Sequence, residues 1–210
     1  MGHYFTNDEN AKSNEKEFQV EVLGKKFKFI TDSGVFSKGE LDDGSRLLIE
    51  TFDSLALLGN VLDVGCGYGA IGIILASNRP NDYVHMVDVN LRAIHLAKRN
   101  TELNGIKNIQ VYESDCYQSV NTKFTNIVSN PPIRAGKKIV HQILEQAFCY
   151  LEDGGTLTIV IGKQHGAASA QKKMLEVFGN AERLQRKKGF WVLQSVKKNS
   201  YKSEKLIKFL

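Results

Sequence analysis

Between residues 60 and 180 the chain alternates short apolar runs of strand type with longer stretches of helical spacing. Val61-Leu62-Asp63-Val64 precedes a helical run from Ala70 to Ser77, and Tyr83 to Val87 precedes one from Leu91 to Leu103. Ile109 to Tyr112 and Phe124 to Val128 are further strand patterns, and a helix from Lys138 to Leu151 follows the second of them. Leu157 to Ile161 is the next strand, with a helix around Ala168 to Phe178 after it. Such alternation folds as a mostly parallel sheet with helical crossovers on its faces. The ending breaks the pattern. Ala181 to Lys187 and Phe190 to Val196 are both strand-like and meet at Lys188-Gly189, which makes a closing antiparallel hairpin. The expected class is therefore α/β, a sheet of seven strands, mostly parallel with an antiparallel C-terminal pair.

Upstream, Glu17 to Val22 and Lys26 to Phe29 alternate polar and apolar residues around Gly24, the pattern of a hairpin. Leu47, Leu48 and Phe52 share one face of a short helix that Asp42 or Asp43 can cap. A length of 210 residues suits a single domain. The expected organisation is an N-terminal extension over residues 1–55 packed on the core, a main domain over 56–198, and a basic tail over 199–210. Residues 1–14 are polar and are expected to be loose.

Composition narrows the function classes. No apolar run reaches the roughly 18 residues of a membrane span, and the polar first twenty residues lack a signal-peptide core. The chain reads as cytoplasmic. Cys66, Cys116 and Cys149 are too scattered for a disulfide framework, and the five histidines show no metal-ligand spacing, so no metal is expected. Charge is uneven. From Arg183 onward nine basic residues face the one acid Glu204, a local +8 that leaves −3 on the first 182 residues of a chain of net +5. That asymmetry suits either an anionic partner such as nucleic acid or a solvated tail.

Ligands of parallel sheets bind beyond the carboxyl ends of the strands. After the first strand stands Asp63-Val64-Gly65-Cys66-Gly67-Tyr68-Gly69, where glycines let the backbone turn tightly against a ligand at a helix start. Asp63 facing that loop favours a cationic ligand over a pyrophosphate, which argues against a nicotinamide dehydrogenase. Asp88 ends the second strand and either accepts from ribose hydroxyls or caps the next helix. Asp115, in Ser114-Asp115-Cys116, either accepts from an adenine amino group or is a plain loop aspartate. Asn130-Pro131-Pro132-Ile133 follows the fourth strand. The prolines stiffen the turn and remove N–H donors, so the Asn130 side-chain oxygen and the Pro131 carbonyl can accept from one amino group.

Together, in order and each after a strand, these motifs resemble a class I S-adenosylmethionine-dependent methyltransferase, with its Rossmann-like seven-stranded sheet. Ser33-Gly34-Val35-Phe36-Ser37, Asp43-Gly44-Ser45-Arg46-Leu47-Leu48 and Asn130 to Lys138 resemble more narrowly the single-domain branch of the bacterial small-subunit ribosomal RNA guanine-N2 methyltransferase family. The resemblance spans residues 30–197. It implies S-adenosylmethionine as cofactor, held by Asp63, Gly65, Cys66, Gly67, Asp88, Val89, Asp115, Cys116 and Asn130. Arg46, or the backbone near Gly44 and Ser45, would face the cofactor's carboxylate. Asn130, Pro131 and Pro132 would form the catalytic turn, which accepts the hydrogens of an exocyclic amine and so localises its lone pair.

The resemblance implies RNA as partner, small-subunit ribosomal RNA or a subunit particle, met by Arg134, Lys137, Lys138 and the basic tail. Ile133 stands where many enzymes with this turn carry an aromatic residue to stack on an extruded base. Phe36 is the first candidate to replace it, beside the aliphatic contact of Ile133 itself. Adenine N6, a protein glutamine amide and a catalytically idle RNA-binding module are the competing readings. One of Phe190 and Trp191 is expected in the core, since they alternate with Val192.

Overall fold

The computed structural model describes residues 13–35, 37–55 and 57–198. Phe36, residues 1–12 and the tail 199–210 lie outside the described residues. The chain opens with a hairpin of β1 (Lys16–Val22) and β2 (Lys25–Thr31), followed by α1 (Asp43–Ser54). The alternating part runs β3 (Val61–Val64), α2 (Ala70–Asn78), β4 (Val84–Asp88), α3 (Leu91–Leu103), β5 (Ile109–Glu113), β6 (Phe124–Ser129), α4 (Lys137–Tyr150), β7 (Leu151–Gly162) and α5 (Ala167–Phe178). β8 (Glu182–Lys187) and β9 (Phe190–Val196) close it.

Seven strands form one sheet in the order β5-β4-β3-β6-β7-β9-β8. The first five in that order pair in parallel, and β9 runs antiparallel to both β7 and β8. All four residues of β3 are buried, which is why it reads as an apolar run with no alternation. Two cores flank the sheet. One gathers Leu48, Phe52, Ile73, Ile74 and Leu96 from α1, α2 and α3, together with Phe27 and Phe29 of the hairpin. The other gathers Ile143, Leu144 and Met174 from α4 and α5 with Tyr117 and Phe124. Among the described residues no helix is long and apolar enough to cross a membrane.

β7 starts earlier than the spacing suggests. Leu151 pairs with Phe124, the exposed stretch Glu152-Asp153-Gly154 makes an excursion, and regular pairing resumes at Asn126 with Thr156. The Gly154-Gly155 step is held by Lys197, whose carbonyl accepts from Gly154 N–H and whose N–H donates to Gly155 O, each at 2.8 Å. The chain leaves β3 toward β4 and β5, then returns to β6 on the other side of β3. The connections above β3 and β6 therefore diverge, which opens a cleft at that point.

Candidate active site

The glycine turn after β3 is tied to the end of β4. Gly65 and Cys66 N–H both donate to Val87 O, at 2.9 and 3.0 Å, and Gly67 N–H donates to Asp88 Oδ2 at 2.9 Å. Gly67 (φ 57°) and Gly69 (φ 94°) have left-handed backbones that a side chain would strain, and Gly69 leads directly into α2. Asp88 Oδ1 accepts from Asn90 N–H at 2.9 Å. Burial raises the Asp88 carboxyl above its ordinary value, against these backbone N–H groups, which lower it. The cap of α3 is Asn90, whose side chain accepts from the N–H of Arg92 and Ala93, so Asp88 is not the helix cap.

Asp63 departs from the sequence expectation. It is fully buried and does not line the cavity. Its Oδ2 accepts from Gly72 N–H at 3.0 Å, and Oδ1 has no partner among the described residues. Because β3 is covered on both faces, the side chain points under α2 rather than out of the strand end. Gly72 leaves the room: a Cβ there would stand 2.4 Å from Met86 Sδ and 3.4 Å from Asp63 Oδ2. Burial raises the Asp63 carboxyl to about 7, with the Gly72 N–H opposing and the nearby Asp88 charge adding.

A cavity of about 850 Å³ lies in the cleft, within the usual size of small-molecule sites. Gly65, Cys66, Gly67, Asp88, Val89, Asp115 and Cys116 line it. Cys116 is buried, has a left-handed backbone (φ 49°), and its thiol is pushed up to about 12 by burial and by Asp115. Ser114 Oγ donates to Cys116 O at 3.1 Å and holds this turn. Burial likewise raises the Cys66 thiol, with the Asp88 and Asp63 charges adding, so no reactive thiolate is prepared there.

Asn130, Pro131, Pro132, Ile133 and Arg134 line the same cavity. Ser129 Oγ donates to Val64 O at 2.7 Å, locking the end of β6 to the end of β3. Asn130 is held by the start of α1: its Nδ2 donates to Ser45 Oγ at 3.0 Å and to Asp42 Oδ1 at 3.3 Å. Asp42 is also the cap of α1, its Oδ1 accepting from Ser45 N–H at 2.9 Å. Pro132 O accepts from Ala135 N–H at 3.0 Å and closes a 3-10 turn over Ile133–Ala135.

Other expectations fare differently. Lys137 and Lys138 are exposed on the first turn of α4 and do not line the cavity. Arg46 also lies off the cavity. It donates to Glu21 O at 3.1 Å and pairs with Glu50 at 3.7 Å, so it does not face a ligand there; Ser45 of the same segment does line the wall. Phe190 and Trp191 are both half-buried, on opposite faces of the sheet, Phe190 against the first core and Trp191 against the second. Arg183 lies 4.6 Å over the Trp191 ring. Sequence reasoning missed Asp42, His165 and Phe190 as cavity residues. The helix-cap pattern at Asp42 was visible; its bond to Asn130 was not.

A doubly wound sheet with a glycine turn after β3, a carboxylate after β4 and an Asn-Pro-Pro turn after β6 defines a methyltransferase of the class I type. Residues 26–194 match the family model of the methyltransferase small domain, and the chain belongs to that family. It is 46% identical over 197 residues to YbxB, an uncharacterized protein of Bacillus subtilis, a match covering 93% of this chain and 98% of that one. To the ribosomal RNA small subunit methyltransferase C of Aeromonas hydrophila it is 42% identical over 131 residues, which is 60% of this chain and 37% of the other. Among solved structures it is similar to the T. thermophilus 16S rRNA N2 G1207 methyltransferase RsmC in complex with AdoMet and guanosine. That match has a TM-score of 0.80 and 27% identity, over 89% of this chain and 52% of that one. This chain thus spans about half or less of those two ribosomal RNA methyltransferases.

Proposed function

We propose that this protein transfers a methyl group from S-adenosylmethionine to an exocyclic amine of a nucleobase, guanine N2 in small-subunit ribosomal RNA. The observation that carries the reading is the fixed amide of Asn130. Its N–H₂ group is committed to Ser45 and Asp42, so the carbonyl oxygen is what Asn130 offers the cavity.

The residues present fit the cofactor. A Cβ at Gly65 would stand 3.8 Å from Pro132 Cδ, so the glycine turn and the proline turn abut and one ligand can reach both. When bound, S-adenosylmethionine supplies an electrophilic methyl group on a sulfonium. Asp88 at the end of β4 accepts from the ribose hydroxyls, while Val89 and Cys116 flank the adenine and Asp115 accepts from its amino group. Gly65 and Gly67 keep the backbone close to the ligand.

An exocyclic amine is a weak nucleophile because its lone pair is delocalised into the ring. Asn130 Oδ1 and the Pro131 carbonyl accept its two hydrogens and favour the pyramidal form. Their positions are set before reaction, which is where such polar contacts gain most of their effect. These oxygens accept the amine's hydrogen bonds but are too weakly basic to keep a proton, so the one shed after methyl transfer passes to water. Arg134 at the cavity rim and Lys137 and Lys138 beside it meet phosphates, as do the exposed Arg183, Arg186 and Lys187 of the edge strand β8. The names of the relatives support guanine N2 in 16S RNA as the acceptor. Such a substrate places the protein in the cytoplasm.

Incubation of the protein with labelled S-adenosylmethionine and unmodified small-subunit RNA or particles, followed by mass identification of the nucleosides, tests the reading. N2-methylguanosine is the expected product. Label in N6-methyladenosine or in protein would replace the guanine reading, and no transfer to either RNA form would end it.

A further inference from the structure

The acceptor end of the cavity raises a question of shape. Ile133, the residue after the proline pair, is half-buried against the second core and offers an aliphatic surface. A base drawn out of an RNA strand loses its stacking neighbours and needs a flat partner in return. Most of the phenylalanines cannot serve, because Phe27, Phe29, Phe52, Phe124, Phe148 and Phe178 are buried in the cores.

Phe190 differs. It is the first residue of β9, half-buried, and it lines the cavity. The ring rests against the start of α1: a Cβ at Gly44 would stand 3.0 Å from Phe190 Cε1 and 3.1 Å from Cδ1. Gly44 lies between Asp42 and Ser45, the residues that hold the Asn130 amide. Phe190 is thereby placed beside the segment of α1 that holds Asn130. Across the strand pair Phe190 stands opposite Gly162, the last residue of β7. Paired residues of antiparallel strands share a face, and Gly162 has no side chain to fill it. The imidazole of His165 folds over that gap, its Nδ1 2.6 Å from where a Gly162 Cβ would be.

We propose that Phe190 is the stacking platform for the acceptor base, supplying the aromatic surface that Ile133 does not. The inference rests on the reading of the acceptor as a nucleobase. The base lies against the Phe190 ring with its amine turned to Asn130, and Ile133 gives an aliphatic contact. Phe190 is then a positioning and specificity residue, distinct from the residues that hold the cofactor.

The test compares Phe190→Leu with Phe190→Tyr. The leucine keeps apolar bulk but no ring; the tyrosine keeps the ring. Phe190→Leu is expected to raise the KM for RNA about tenfold, the scale of one lost base–aromatic stack, with S-adenosylmethionine affinity unchanged. Phe190→Tyr is expected to stay near wild type. Independently of turnover, 2-aminopurine riboside carries the same exocyclic amine and loses fluorescence on stacking. Wild-type protein loaded with S-adenosylhomocysteine is expected to quench it and Phe190→Leu is not. Absence of quenching by the wild type overturns the inference even if the leucine variant does not fold. A leucine variant with wild-type KM and quenching overturns it too. In both cases wild-type transfer to guanine would leave the functional reading standing, whereas failure of wild-type transfer to any base would remove that reading first.

Discussion

Asn130 and Asp63 sit at the ends of neighbouring strands, and in each the side-chain atoms are assigned by what surrounds them. At Asn130 an amide is required, because a donor must meet Asp42 while an acceptor meets the substrate. At Asp63 a carboxyl is enclosed with one N–H donor, and burial raises it to about 7. The folded chain therefore holds this proton more tightly than the unfolded chain, where the ordinary value is 3.8. Its contribution to stability is fully present below that value and is lost as pH rises through about 7. Asp63→Asn keeps an oxygen for Gly72 N–H and removes the titration. The melting temperature of the wild type relative to Asp63→Asn should fall between about pH 4 and pH 7 and level off above. Thermal unfolding across that range measures it, and a pH-independent difference would contradict this account of Asp63.

Among the elements, α3 does most to attach the N-terminal hairpin to the site. Asn100 is fully buried on its inner face. Its Oδ1 accepts from Ile30 N–H at 2.8 Å, and its Nδ2 donates to Ile30 O and Tyr68 O at 2.9 and 2.8 Å. One side chain thus joins β2, α3 and the glycine turn. Asn100→Leu would leave three buried backbone groups without partners, at about 1–3 kcal/mol each, so a loss of at least about 3 kcal/mol in chemical denaturation is expected. A change below about 1 kcal/mol would mean that water or a shifted backbone replaces the amide. The elements themselves were legible, since Leu91–Leu103 and Phe190–Val196 fall where their spacing puts them. What α1 does was not. Its cap pattern was visible, but Asp42 and Asn130 are 88 residues apart and only the folded sheet brings them together.

At the scale of the whole molecule, the reversal of strand order between β3 and β6 places the glycine turn and the Asn-Pro-Pro turn side by side. Strand-helix alternation announces a parallel sheet and the strand ends announce the motifs, so much of the site was readable. The direction of Asp63 was not, because a strand buried on both faces carries no alternation to show which way a residue points. Phe190 was ambiguous for the opposite reason: in an alternating strand both it and Trp191 find an apolar face. The central claim concerns chemistry at Asn130, and single-turnover transfer of labelled methyl groups to RNA, with cofactor binding measured in parallel, tests it most directly. Asn130→Ala should bind S-adenosylmethionine nearly as the wild type does and transfer methyl groups more slowly by a factor on the order of a hundred. Asn130→Asp keeps an acceptor oxygen but sets a second carboxylate against Asp42, where the amide now donates at 3.3 Å, and should be at least as slow. Transfer by Asn130→Ala at the wild-type rate would contradict the account, leaving the turn a structural feature with no part in methyl transfer.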